Sequence, residues 1–202
     1  MTIVKDRPAG SDFARARKSM IDSQLRVSGV NSDFVRERMG AVPREDFVPE
    51  AARSVAYMDR AIALGGGRFL AAPLVQGRML EEADPRADDT ALLVDGGSGY
   101  FAELLRPLVG SLEVVTPGEA LAKGGKQRGA TLLIIDGAIE QLPEVLAKRL
   151  AEGGRVVAGL VVRGLTRLAS GRKAAGEVAL APLAEIGIPV LPEFAAPKGW
   201  SF

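Results

Sequence analysis

The residues best placed to do chemistry are Asp95, Gly96, Gly97, Ser98 and Gly99, which follow the apolar run of residues 91–94 and precede a helical pattern that begins at Phe101. A glycine-rich turn between a buried strand and a helix lets the backbone approach a ligand closely. It also aims free N–H groups at an anion or another hydrogen-bond acceptor. The same glycines serve a tight strand-to-helix turn with no ligand, and the turn alone leaves both readings open. Asp136 ends a second apolar run, residues 131–135, where open α/β sheets bind ligands at the carboxyl ends of their strands. It equally suits an Asp136-Gly137 turn that caps a helix starting at Ile139. The chain of 202 residues contains no His and no Cys. That removes the usual general base, the Ser-His-Asp and Cys-His mechanisms and the commonest transition-metal ligands, so no metal site is expected.

These residues need a scaffold, and hydrophobic periodicity supplies one. Residues 13–27 carry Phe13, Ala16, Met20, Ile21, Leu25 and Val27 at mostly helical spacing. Asn31 is placed to cap a second helix running to about Met39, and a third is expected over residues 50–58, after Pro43 and Pro49. This predicts a helical cap over residues 13–60. Residues 62–64 and the Gly65-Gly66-Gly67 loop follow, then Pro73 at the first position of a helix over residues 74–83. From Thr90 the pattern changes to short, mainly apolar runs at residues 91–94, 112–115, 131–135 and 155–162. Strands buried on both faces of a parallel sheet look like this. Helices are expected at residues 101–108 and 139–150, the second ended by Gly153-Gly154. Residues 165–169 and 177–183 flank a turn-forming stretch, residues 170–176, as an antiparallel hairpin. The expected architecture is one α/β domain over residues 1–202. Its sheet is mixed but mainly parallel, the core spans residues 61–190, and a tail spans residues 191–202.

Composition narrows the function. With 47% hydrophobic and 25% charged residues, the chain is not disordered, and at this length it buries roughly 70% of its unfolded surface without disulfides or metals. A formal charge of +1 provides no field for nucleic acid or an anionic membrane, so neither is expected as a partner. Residues 1–10 lack a signal-peptide apolar core, which predicts a cytoplasmic protein. Arg163, Arg167, Arg172 and Lys173 suit either an acidic partner or an edge hairpin kept from aggregating by positive charge. The tail holds Trp200 and Phe202, and two aromatic side chains there predict docking on a groove of the same chain or of a second copy in a homo-oligomer.

Three blocks lie in order before the glycine turn: Met20-Ile21-Asp22-Ser23-Gln24-Leu25-Arg26, then Ala41-Val42-Pro43-Arg44-Glu45-Asp46-Phe47-Val48-Pro49-Glu50-Ala51, then Ala56-Tyr57-Met58-Asp59-Arg60. Together with Gly97-Ser98-Gly99-Tyr100, they closely resemble the protein-L-isoaspartate O-methyltransferase family over residues 18–160. The resemblance implies a Rossmann-like methyltransferase sheet and S-adenosylmethionine as cofactor. It further implies methyl transfer to an isoaspartyl carboxylate in a damaged protein or peptide, with residues 95–99 and Asp136 on the cofactor side and Asp59 and Arg60 on the substrate side. Read without the resemblance, Asp59 and Arg60 are an ordinary solvated pair of opposite charges. The implied reaction suits a chain without His: the sulfonium is already a strong electrophile and the carboxylate already an anion, so positioning supplies most of the rate.

The sequence departs from the family pattern in four places. Phe69-Leu70-Ala71-Ala72-Pro73 stands where the family reads close to T-I-S-Q-P, so Ala71 replaces the serine and the catalytic residue is unknown. Asp95 stands on the family's first turn glycine, or, with a one-residue shift of the turn, on its acid. Val114-Val115-Thr116-Pro117-Gly118-Glu119 places the acid expected after the second strand no earlier than Glu119. Only residues 117–129 separate the second strand from Thr131, enough for one crossover and too few for a further strand. Two functions stand on this sequence. One is an S-adenosylmethionine-dependent carboxyl methyltransferase; the other is a catalytically silent relative with a binding or assembly role and weak or absent cofactor binding. Dinucleotide binding lacks its G-x-G-x-x-G fingerprint.

Overall fold

The computed structural model describes residues 10–122 and 129–196. Helix α1 (Gly10–Met20) continues into one wider turn over Ile21–Leu25, so the single helix expected at residues 13–27 changes pitch halfway. Helix α2 (Asp33–Ala41) follows, then two 3-10 segments, Arg44–Phe47 and Glu50–Val55, each directly behind a proline. The helix expected over residues 50–58 is therefore shorter and more tightly wound. Strands β1 (Ile62–Gly65) and β2 (Arg68–Leu70) form an antiparallel hairpin in which Gly65, Gly66 and Gly67 all take positive φ. Helix α3 (Pro73–Ala83) opens on its proline as expected. Asn31 does not cap α2. The N-cap is Ser32, and its orphan donors are met from α3, where Glu81 accepts from Asn31 N (3.0 Å), Ser32 N (2.9 Å) and Ser32 Oγ (2.7 Å).

The main sheet is built from β3 (Thr90–Val94), β4 (Ser111–Val115), β5 (Ala130–Ile139), β6 (Leu150–Val162), β7 (Leu165–Ala174) and β8 (Glu177–Glu185), in the order β4-β3-β5-β6-β7-β8. The first four are mutually parallel, and β7 and β8 add an antiparallel meander. Helix α4 (Tyr100–Leu105) connects β3 to β4, α5 (Pro117–Leu121) follows β4, and α6 (Glu144–Ala147) precedes β6. Among the described residues no strand lies between β4 and β5 in sequence.

Alternation along the strands divides the core. Ala91, Leu93, Leu132, Ile134 and Val157 face the N-terminal helices, α3 and α4. Leu92, Val94, Leu133, Ile135, Val156 and Ala158 face Ala120 of α5, Leu146 of α6, and Leu191 and Phe194 near the C-terminus. No helix among the described residues is long and apolar enough to cross a membrane.

The structure corrects three expectations in the second half. The helix expected at residues 139–150 shrinks to the four residues of α6, because β5 runs on past Asp136 and rejoins β6 through Ala138↔Gly159 and Ile139↔Leu160 after a register shift. Gly153 and Gly154 do not end a helix but lie inside β6, where the backbone turns at Gly153 (φ +77°) and a Cβ on Gly154 would lie 2.9 Å from Ala130 O. Residues 170–174 pair as strand, leaving only Ala175 and Gly176, both at positive φ, to make the hairpin turn.

Residues 189–196 dock on the same chain. Ala138 N donates to Pro189 O (2.7 Å), Leu191 N to Ala138 O (2.8 Å) and Glu140 N to Phe194 O (3.2 Å), while Leu191 and Phe194 are buried. Trp200 and Phe202 lie outside the described residues.

Candidate functional site

Strand β3 delivers the glycine turn. Asp95 N donates to Val115 O (2.9 Å), which prolongs the contact with β4 by one residue. A Cβ on Gly96 would lie 2.4 Å from the carbonyl oxygen of Asp136, so only glycine lets the two strand ends approach this closely. Gly99 (φ +74°) is the N-cap of α4. The Asp95 carboxylate folds back into the turn and accepts from Gly97 N (2.9 Å) and from Gly99 N (3.0 and 3.2 Å). Ser98 Oγ accepts from Tyr100 N (3.1 Å). The free N–H donors that such a turn offers a ligand are thus largely met by its own acid.

Asp136 lies beside Gly96 in the register shift of β5, neither ending the strand nor capping a helix. Burial pushes its carboxyl up to about 7, and the charge of Asp95 adds to that effect. Gln76 of α3 donates to Asp136 Oδ2 at the long distance of 3.4 Å, and Oδ1 has no hydrogen-bond partner. Behind Gln76 lies Arg44, fully buried, from the Pro-Arg-Glu-Asp block. Its guanidinium donates to Ala56 O (2.8 Å), Gln76 Oε1 and Ala71 O, and stacks over the Tyr100 ring at 5.1 Å. Arg44 and Gln76 carry no catalytic signature in the sequence, yet they tie the cap, the residue-71 loop and α3 to Asp136. The lone polar Gln76 among the apolar positions of α3 is the one sequence signal that could have found part of this cluster.

Asp59 Oδ1 accepts from Leu74 N (3.2 Å), so Asp59 covers the first turn of α3 next to Ala71 and Pro73. It is exposed, as is Arg60. Ala71 is buried and holds no hydroxyl toward the cleft; its carbonyl serves Arg44. Glu119 is spent locally in a capping box, accepting from Thr116 N (2.8 Å) and Thr116 Oγ1 (2.9 Å), and those bonds hold its carboxyl below the usual range. In the basic hairpin, Arg172 donates to Gly153 O (2.8 Å), Lys173 to Ala147 O (2.9 Å) and Leu150 O (2.8 Å), and Arg167 pairs with Glu185 at 3.3 Å. Three of the four cations therefore serve the sheet they belong to.

One further pair was not legible in the sequence. A Cβ on Gly97 would meet Arg68 Cγ at 3.1 Å, so the Arg68 side chain lies against the turn. Its guanidinium is gripped by both carboxylate oxygens of Glu193, with Nη1 to Oε2 at 3.2 Å. The two residues are 125 apart in sequence.

A mainly parallel sheet with a glycine turn at the carboxyl end of β3 and an acid on the neighbouring β5 defines a Rossmann-like α/β protein. The same fold is found in a Plasmodium falciparum beta-aspartate methyltransferase solved with S-adenosyl-L-homocysteine, with a TM-score of 0.71 at 16% identity over 90% of this chain and 98% of that one. The sequence profile of the protein-L-isoaspartate (D-aspartate) O-methyltransferase family matches residues 15–120. Protein-L-isoaspartate O-methyltransferase 2 of Anaeromyxobacter sp. is 33% identical over 165 residues, 70% of this chain and 68% of the relative. The enzyme of Methanoculleus marisnigri is 29% identical over 212 residues, 92% of this chain and 94% of the relative. The chain belongs to the protein-L-isoaspartate O-methyltransferase family, which acts on isoaspartyl-bearing proteins and uses S-adenosylmethionine.

The turn that would hold that cofactor is closed by side chains of the same protein. Gly97 N and Gly99 N are taken by Asp95, and the approach over Gly97 is filled by Arg68.

Proposed function

We propose that this chain is an S-adenosylmethionine-dependent methyltransferase whose acceptor is an isoaspartyl carboxylate in a protein or peptide. The observation that carries this reading is a contiguous line of contacts at the carboxyl ends of β3 and β5. Asp59 meets the start of α3, Gln76 of α3 meets Asp136, and Asp136 meets Gly96 of the turn. In this reading Asp59 and Arg60 lie on the substrate side and Asp95, Gly96, Gly97, Ser98, Gly99 and Asp136 on the cofactor side, and the line of contacts through Gln76 supports it by linking Asp59 to Asp136 and Gly96. The reading includes a cytoplasmic location, and it includes no nucleic-acid or membrane partner, the latter supported by the near-zero net charge.

A second reading, a catalytically silent relative, is favoured by two specific features: Ala71 in place of the family serine, and the turn closed by Asp95. Loss of one positioned hydroxyl typically costs about 10²- to 10³-fold in rate. Calorimetric titration with S-adenosylmethionine, together with transfer of labelled methyl groups to an isoaspartyl peptide, separates the two. Methylation above that of the corresponding aspartyl peptide supports the enzyme. Micromolar binding without methylation, or neither, supports the silent relative.

A further inference from the structure

We propose that residues 189–196 are an internal strap that locks the glycine turn through Glu193 and Arg68, making this contact an autoinhibitory clamp on the cofactor site. The proposal rests on the reading of residues 95–99 as that site.

Three observations carry it. First, the strap is anchored rather than loosely apposed. Leu191 and Phe194 are 4% and 2% exposed, and the strap backbone exchanges hydrogen bonds with Ala138 and Glu140 on the extension of β5 just beyond Asp136. Ala196 N also donates to Glu140 Oε2 (2.7 Å). Gly137 leaves the room Leu191 occupies, since a Cβ there would lie 2.5 Å from Leu191 Cγ.

Second, the strap presents Glu193 to Arg68, the cation that lies against Gly97 of the turn, and does so with both oxygens. The pair is partly withdrawn from water, with side-chain exposures of 28% for Arg68 and 27% for Glu193. The Arg68 partner lowers the Glu193 carboxyl below its ordinary range. A bidentate guanidinium–carboxylate pair fixes orientation as well as distance. The Arg68 stem is thereby held against Gly97 instead of turning out toward solvent.

Third, a ligand that uses the Gly97 amide must displace that stem. Ile62 and Leu70 fix the hairpin carrying Arg68 in the core, while Arg68 itself is only partly buried, so once Glu193 lets go the Arg68 side chain can turn off Gly97 with the backbone staying in place. Closure by Asp95 and closure by Arg68 are thus separate: the first takes the N–H donors, the second covers the way to them.

The test is a four-protein cycle of the full chain: wild type, Glu193→Gln, Asp95→Gly and the double variant, titrated calorimetrically with S-adenosylhomocysteine. Thermal melts confirm that each is folded. Releasing one partly buried ion pair should tighten binding about fivefold or more, in the wild-type or the Asp95→Gly background. Arg68→Ala, which removes the cover outright, should do the same. Affinities within twofold with and without Glu193→Gln in both backgrounds overturn the clamp and leave the cofactor-site reading standing. Absence of binding in all four proteins and in Arg68→Ala overturns the cofactor-site reading, and the clamp with it.

Discussion

Replacing Asp136 by Asn should make the protein less sensitive to alkaline conditions. Asp136 is almost fully buried, 5% exposed, and its carboxyl is pushed from the ordinary 3.8 up to about 7, by burial first and by Asp95 second. Between those two values the folded protein keeps a proton that the unfolded chain has released. The stability this proton confers is complete below about pH 4, declines as the pH rises and is gone above the folded value. From pH 5 to pH 7 the slope is at most about 1.36 kcal/mol per pH unit and flattens as the folded carboxyl itself begins to titrate, a loss of about 2 kcal/mol. Against a typical total of roughly 5–15 kcal/mol, such a change is easily measured. The amide of the variant holds no proton to lose and can still accept from Gln76. Urea unfolding at pH 5 and pH 8, with equal slopes as the check on two-state behaviour, should show the wild type losing about 2–3 kcal/mol more than Asp136→Asn over this interval. Equal losses would refute the assignment of a protonated carboxyl to this site and with it the argument that Asp95 and Asp136 act on one another.

Arg44→Met leaves Ala56 O, Ala71 O and Gln76 Oε1 without their buried donor, and urea titration should record a loss of about 3–5 kcal/mol. Glu81→Ala strips three donors at the start of α2, for about 1–3 kcal/mol at neutral pH. The Glu81 carboxyl is held below its ordinary 4.5 chiefly by its bonds to Ser32, working against burial. The difference from wild type should therefore shrink as the pH falls through the folded value, which acid titration of circular dichroism would follow. Gly96→Ala drives a methyl to 2.4 Å from Asp136 O, where backbone must give way; a melting-temperature drop equivalent to about 1–3 kcal/mol is expected.

The strands were legible because their signal is local. Residues 91–94 and 112–115 lie inside β3 and β4; the first is an uninterrupted apolar run with few alternatives to a strand covered on both faces, and the second, interrupted only by Glu113, still reads as a short strand. The extension of β5 was not legible, since Asp136-Gly137 carries the local chemistry of a turn. What makes it strand is Gly159 opposite Ala138 and the approach of residues 189–191, both distant in sequence. Residues 170–174 misled for the same reason: Ser170, Gly171 and Arg172 favour a turn locally, but pairing with both β6 and β8 outweighs that preference. In the site, the turn and Asp136 could be named from spacing. Arg44, Gln76, Arg68 and Glu193 could not, because their roles depend on contacts between elements whose mutual placement no local pattern encodes.

The short crossover after β4 reaches beyond the site, to how copies of this protein behave toward one another. Among the described residues β4 is paired on one side only, leaving five residues of backbone open to another chain. Edges of this kind invite strand-to-strand association, and short length and charge are the usual safeguards. Glu113, in the middle of β4, is bound to Arg149 at 2.7 Å, with side-chain exposures of 25% and 6%. An incoming strand would have to dehydrate that ion pair to gain at most a few hydrogen bonds. The Glu113 carboxylate, held by Arg149, thus makes this short edge costly for a second copy of the chain to pair with.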